Sequence, residues 1–113
     1  GYSLAGLFSL WACCQSGKFA GIAAASPSVW FPGFLTYLKE NEVKSPCIYL
    51  SLGDKEDKTK NAMLSTVGDN IREVEKIMKE NKVKCILEWN QGNHFKDAEK
   101  RTAKAFSWVI VNQ

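Results

Sequence analysis

The chain has 113 residues, of which 45% are hydrophobic and 24% charged, a composition typical of one globular domain. Its formal net charge of +3 is too small to indicate a nucleic-acid partner, and no run of about 18 apolar residues predicts a membrane span. The four cysteines have neither Cys-x-x-Cys nor Cys/His spacing, which argues against a metal site, and their apolar surroundings favour a cytoplasmic protein.

The first part of the chain predicts helix, strand and helix in that order. Apolar residues wrap most of a helix over residues 4–16, which we expect to be buried on more than one side. Residues 19–25 are apolar without alternation, as in a strand covered on both faces of a parallel sheet. An aromatic connection over residues 29–38 then turns into a second helix. It is either a packed helix start or the wall of an apolar pocket.

The second part of the chain predicts two more strands and two more helices. The strands are predicted over residues 47–52 and 83–89, and the helices over residues 64–81 and 97–111. The last helix is expected to bury Phe106 with its other apolar residues, while Arg101 joins a basic face in solvent. Strands that alternate with helices predict a parallel sheet between two helical layers, a three-layer α/β/α fold.

The chain begins with a serine between small residues, Gly1-Tyr2-Ser3-Leu4-Ala5, immediately before the first predicted helix. A sharp strand-to-helix turn lifts a serine hydroxyl clear of the sheet and directs the first helical N–H groups at a developing negative charge. Ser3 is therefore a candidate nucleophile. The pattern is short, however, and predicts a nucleophile only if a base and an acid are found elsewhere in the chain.

Polar side chains follow the second and third predicted strands. Asp54, Glu56 and Asp57 come after the second strand, and His94, the only histidine, comes after the third. Because the carboxyl ends of parallel strands meet at one edge of a sheet, we expect these residues to lie near Ser3. A histidine can take the serine proton, and a carboxylate can fix the histidine tautomer. The residues alone leave open which of the three acids does so, and a solvated turn is an equally good interpretation of each.

Serine, acid and histidine in this chain order resemble the pattern of the alpha/beta hydrolases. The sequence is similar to the C-terminal half of esterases of the enterochelin-esterase-like and esterase D-like group. The similarity covers the whole chain and lies in three stretches, Gly-Tyr-Ser-Leu-Ala-Gly-Leu, Leu-Ser-Leu-Gly-Asp-Lys-Glu-Asp and Gly-Asn-His-Phe. It implies Ser3 as nucleophile, His94 as general acid and base, and the Leu4 N–H as an oxyanion donor. It favours Glu56 as the acid, with Asp54 as the alternative.

The resemblance implies a serine hydrolase that cleaves small acyl or aryl esters through an acyl-enzyme, without cofactor or metal. The short connection at residues 29–38 leaves no room for a large lid, and Trp30, Phe31 and Phe34 are the expected pocket wall. The same machinery could also serve other acyl transfers.

The family has several strands before the nucleophile, and this chain has none of them. We therefore expect residues 1–113 to be the C-terminal portion of a single domain, nearly inactive when isolated. Its open sheet edge would be covered by the missing N-terminal half or by self-association. The alternative function is a non-catalytic fragment that associates through this edge.

Overall fold

The computed structural model describes residues 1–113 and has three strands and four α-helices. The strands are β1 (Ile22–Ala25), β2 (Cys47–Gly53) and β3 (Lys84–Asn90). The helices are α1 (Leu4–Gln15), α2 (Phe34–Glu40), α3 (Val67–Glu80) and α4 (Ala98–Asn112), with a 3-10 turn at Leu64–Thr66 before α3. None of the helices is long and apolar enough to cross a membrane.

The sheet is parallel and has the order β1-β2-β3. Ile48 in the central strand pairs with Ile22 on one side and with Cys85 on the other. Every residue of β2 is buried, because the strand has neighbours on both edges and helices on both faces. The loops that follow the three strands therefore meet at one edge of the sheet.

Helices cover both faces of this sheet, which confirms the predicted α/β architecture. Alternate residues of β2 point to opposite faces. Leu50 lies in the larger core, which α1, α2 and α3 complete on one face. Tyr49 lies in the smaller core, where Ala105 and Val109 of α4 pack on the other face.

The predicted burial of α1 is wrong for one side of that helix. Leu10 is fully buried, but Leu4, Phe8 and Trp11 are 59%, 63% and 41% exposed. The three exposed residues are four and three positions apart, so they form one stripe along the helix. The helix therefore buries one face and presents a second apolar stripe to solvent.

Residues 1–3 extend the sheet beside β1. Tyr2 forms a parallel bridge with Ala25, the Gly1 carbonyl accepts from the Ala25 N–H at 2.9 Å, and the Ser3 N–H donates to the Ala25 carbonyl at 3.1 Å. The edge that the sequence predicts to be open is therefore occupied along the end of β1. The open edge lies instead on the outer side of residues 1–3, where the Tyr2 N–H has no backbone partner.

Candidate active site

Ser3 lies in a tight turn between this short edge segment and α1. Its backbone has φ 60° and ψ −122°, a conformation that is uncommon and strained for a residue with a side chain. The turn also needs a glycine at position 1, because a Cβ there would lie 2.6 Å from the backbone of Ala5. Leu4 is the first residue of α1, so its N–H has no partner within the helix and is free to bind an anion.

His94 lies in the loop after β3, with its Nε2 3.0 Å from the Ser3 Oγ. Gly92 turns this loop with φ 113°, which favours glycine. The Tyr2 hydroxyl donates to the His94 carbonyl, and the Tyr2 and Phe95 rings lie 5.3 Å and 5.1 Å from the imidazole. These contacts place the histidine ring over the serine hydroxyl.

Glu56 contacts the other nitrogen of this imidazole. Its Oε1 lies 2.7 Å from the His94 Nδ1, and its side chain is 5% exposed. Its Oε2 accepts from the Gly53 N–H at 2.6 Å and from the Ser26 hydroxyl at 2.7 Å. Burial raises the pKa of Glu56, but the hydrogen bonds from His94, Ser26 and Gly53 outweigh it and hold that pKa below its ordinary value.

The other two acids of this loop do not contact the imidazole. Asp54 accepts a hydrogen bond from the Gly92 N–H at 2.9 Å and so stabilises the loop that contains His94. Asp57 lies against the start of α3, where a Cβ on Gly68 would be 2.6 Å from its Oδ2. Of the three candidates, the structure brings only Glu56 to His94.

Two residues at this site were not singled out by the sequence. Ser26, at the end of β1, is buried with φ 43° and donates to Glu56. Arg101 does not lie on a solvated face as expected. Its side chain is 2% exposed, with Nη1 3.5 Å from the Glu56 Oε2 and Nη2 donating to the Gln91 carbonyl at 3.3 Å. A signal was available, because Arg101 lies four residues before Ala105, on the buried face of α4.

The Ser3 hydroxyl opens into a cavity of about 360 Å³, a volume suited to a small molecule. His94 and Glu56 line it together with apolar side chains, among them Trp30 and Phe95.

Of the three predicted wall residues, only Trp30 lines this cavity. Phe31 is 50% exposed and Phe34 is packed in the larger core, and both line a neighbouring groove. The turn at Gly33, where φ is 84°, starts α2 and carries Phe34 into the helical layer.

This geometry permits acid–base chemistry at Ser3. The His94 Nε2 can accept the Ser3 proton while its Nδ1–H donates to Glu56. An ionised Glu56 stabilises the resulting imidazolium, and the Leu4 N–H can bind an oxyanion that forms near Ser3.

No protein-family model and no curated protein matches the chain. Among solved structures, it is similar to the siderophore hydrolase EstA from Aspergillus nidulans, with a TM-score of 0.65 and 20% sequence identity. The similarity covers 100% of this chain and 48% of that one, so the chain spans about half the length of this structural neighbour. At this level of identity, the comparison shows the α/β fold alone.

Proposed function

We propose that this chain carries the catalytic triad of a serine hydrolase that cleaves carboxylic esters. The observation that supports this most strongly is the continuous hydrogen-bond chain from Ser3 through His94 to Glu56, with distances of 3.0 Å and 2.7 Å. The similarity of the fold to that of a siderophore hydrolase supports the same activity. The three sequence stretches around these residues favour the enterochelin-esterase-like and esterase D-like group.

In the proposed reaction, the Ser3 Oγ attacks the ester carbonyl carbon while His94 takes the hydroxyl proton. The Leu4 N–H stabilises the oxyanion of the tetrahedral intermediate. The bond to the alcohol oxygen then breaks, and His94 returns the proton to the leaving alcohol. Water then attacks the carbonyl carbon of the acyl-Ser3 while His94 takes a proton from it. The bond to the Ser3 Oγ breaks, His94 returns the proton to that oxygen, and the carboxylic acid is released.

The lowered pKa of Glu56 suits it to the orienting role. A carboxylate that stays ionised at neutral pH keeps the Nδ1–H of His94 pointed toward itself and stabilises the imidazolium. The cavity of about 360 Å³, with Trp30 and Phe95 in its wall, favours a small apolar ester as the substrate.

The isolated chain is proposed to be a slow catalyst. It supplies one oxyanion donor, Leu4, and the absence of a second costs about 2.7–4 kcal/mol of transition-state stabilisation. We propose that segments preceding the Ser3 turn in the whole domain supply the second donor. Turnover of a short-chain aryl ester by the purified 113 residues, at the rate of a complete esterase, would contradict this.

We also propose that the open edge beside residues 1–3 is covered, either by the N-terminal half of the domain or by another copy. Phe106 and Ile110 of α4 are 50% and 67% exposed, contrary to the predicted burial of Phe106. Around the helix, Phe106 and Ile110 lie about 160° and 120° away from Lys104. The Lys104 Nζ is 2.6 Å from Glu88 of β3, so Phe106 and Ile110 lie on the other side of α4, toward β1. Native mass spectrometry of the purified protein distinguishes a companion fragment from multiples of one chain.

Labelling by a fluorophosphonate tests the proposed nucleophile, because only an activated serine reacts. We expect one phosphonyl group per chain, mapped to Ser3 and absent from Ser3→Ala. His94→Ala should slow the labelling by several orders of magnitude. Ser28→Ala is the matched control, since the Ser28 hydroxyl lies 3.4 Å from the Ser3 Oγ without contacting His94. Failure of Ser3 to react, or equal labelling of His94→Ala, would support the non-catalytic alternative.

A further inference from the structure

An apolar groove lies beside the cavity that contains Ser3. It has a volume of about 350 Å³ and lies between the outer side of α1 and the start of α2. Seven of its nine lining residues are hydrophobic and none is charged. The lining includes Leu4, Leu7, Phe8, Trp11, Phe31 and Phe34. We call it the α1–α2 groove.

Three large aromatic side chains of the α1–α2 groove are exposed. Phe8 is 63% exposed, Phe31 50% and Trp11 41%. Isolated exposed apolar residues are common, but a contiguous patch marks a binding surface. The absence of charged side chains from the lining favours an uncharged, apolar occupant.

The groove adjoins the proposed catalytic cavity at two points. Leu4 lines both of them and directly follows Ser3 in the chain. Trp30 lines the cavity, and the adjacent Phe31 lines the groove. The centroids of these two rings are 6.2 Å apart. From Leu4 to Trp11 the α1 wall is about 10 Å long, at about 1.5 Å per helical residue.

We propose that the α1–α2 groove binds the acyl chain of the ester substrate, and that this chain is linear and of medium length. The inference rests on the proposed function and extends its substrate class from small esters to esters of medium-chain acids. The leaving alcohol must lie near the His94 Nε2 to receive its proton. His94 and Phe95 line the cavity but not the groove, so the acyl part is the one that reaches Leu4 and continues along α1.

Ligand binding to the Ser3→Ala form of the full chain tests this inference without turnover. Methyl esters of butanoic, hexanoic and octanoic acid would be titrated while tryptophan fluorescence is followed, with Trp11→Phe identifying the signal of Trp11. We expect the Kd to fall about two- to fourfold for each added methylene group that enters the groove. A Kd that does not change with chain length would overturn the inference.

Two variants and a matched control locate the binding site. Phe8→Ala and Phe31→Ala replace exposed side chains and should flatten the dependence of Kd on chain length. Phe106→Ala removes an equally exposed phenylalanine from α4 and should leave that dependence unchanged. Equal behaviour of Phe8→Ala and Phe106→Ala would contradict the proposal.

The two proposals fail in distinguishable ways. If Ser3 does not react with fluorophosphonate but Ser3→Ala still binds longer esters more tightly, the catalytic proposal is wrong and the groove assignment is supported. If Ser3 reacts but binding is independent of chain length, the groove assignment is wrong. If a second copy or another segment occupied the groove, the Kd would be independent of chain length and Phe8→Ala would change the native mass. This outcome would also overturn the assignment.

Discussion

The two ends of the hydrogen-bond chain, at Glu56 and at Ser3, are held in different ways. Glu56 is 5% exposed, and donors from three separate parts of the fold converge on its Oε2. Gly53 contributes a backbone N–H, Ser26 a hydroxyl and Arg101 a guanidinium nitrogen. Everything that fixes the carboxylate therefore lies within this chain.

The serine end has fewer supports. The Ser3 N–H is bonded to Ala25, its carbonyl accepts from Leu7 and Ser28, and the segment before it pairs with β1 through the single bridge of Tyr2 to Ala25. On the outer side of this segment the Tyr2 N–H has no backbone partner. The supports of the acid end thus all lie within this chain, whereas the serine end lies beside an exposed sheet edge.

The largest expected effect comes from removing the charge at the acid end. Glu56→Gln should lower the rate of Ser3 labelling by about 10⁴-fold, because an amide cannot hold the reactive histidine tautomer or stabilise the imidazolium. Asp54→Asn is the matched control in the same loop. It perturbs one hydrogen bond to Gly92 and should slow labelling by less than about tenfold. If Asp54→Asn proved the slower of the two, Asp54 would be the orienting acid.

Arg101 tests whether the acid end also stabilises the fold. Arg101→Met leaves the buried Glu56 carboxylate without its guanidinium neighbour and should lower the free energy of unfolding by about 3 kcal/mol. Lys79→Met breaks a surface pair with Glu75, 3.1 Å long with Lys79 60% exposed, and should cost about 0.5 kcal/mol at most. Urea denaturation measures both. Similar losses in the two variants would show that Arg101 has no special role.

Two substitutions at Ser26 separate its hydrogen bond from its backbone strain. Ser26→Ala loses the bond to the Glu56 carboxylate, worth about 1.5–3 kcal/mol, and keeps the positive φ of 43°. Ser26→Gly loses the same bond but relieves a strained conformation that costs about 1–2 kcal/mol. The free energy of unfolding should therefore fall more in Ser26→Ala than in Ser26→Gly. The reverse order would mean that the strain has little effect on stability.

The fold and the meeting of strand ends could be predicted from the sequence because both depend on local patterns. Apolar runs such as residues 47–52 identify buried strands, and their alternation with helices predicts a parallel sheet. That topology alone is enough to bring the loops of Ser3, Glu56 and His94 to one edge. The choice of Glu56 over Asp54 required the structure or the family resemblance.

What could not be predicted depends on partners far away in the sequence. The spacing of Arg101 from Ala105 places it on the buried face of α4, but the carboxylate that it contacts there, Glu56, lies 45 residues earlier and gives no local sign. Ser26 gives no local sign of its role for the same reason. The exposure of Phe8 and Phe106 was not predicted, because an apolar helix face predicts contact with another surface but does not identify that surface. Phe8 lies in the α1–α2 groove, and Phe106 lies on the side of α4 that faces the open edge.

A smaller effect, the pH dependence of stability, probes the acid end without any need for activity. The pKa of Glu56 is lower in the folded protein than its ordinary value of about 4.3, so the folded state favours the carboxylate. The stabilisation is therefore fully present above the ordinary pKa and is lost as the pH falls through the lower, folded pKa. Between about pH 5 and pH 3, the free energy of unfolding should fall more steeply in the wild type than in Glu56→Gln.

Asp69→Asn is the control for this measurement, since the Asp69 side chain is 94% exposed and pairs only with Arg72 on the surface. It should follow the acid dependence of the wild type. If Glu56→Gln also followed the wild type, the hydrogen bonds from Ser26, Gly53 and His94 would not favour the charged carboxylate in solution. The acid end would then be no better organised than the serine end, and the contrast between them would reduce to the open sheet edge alone.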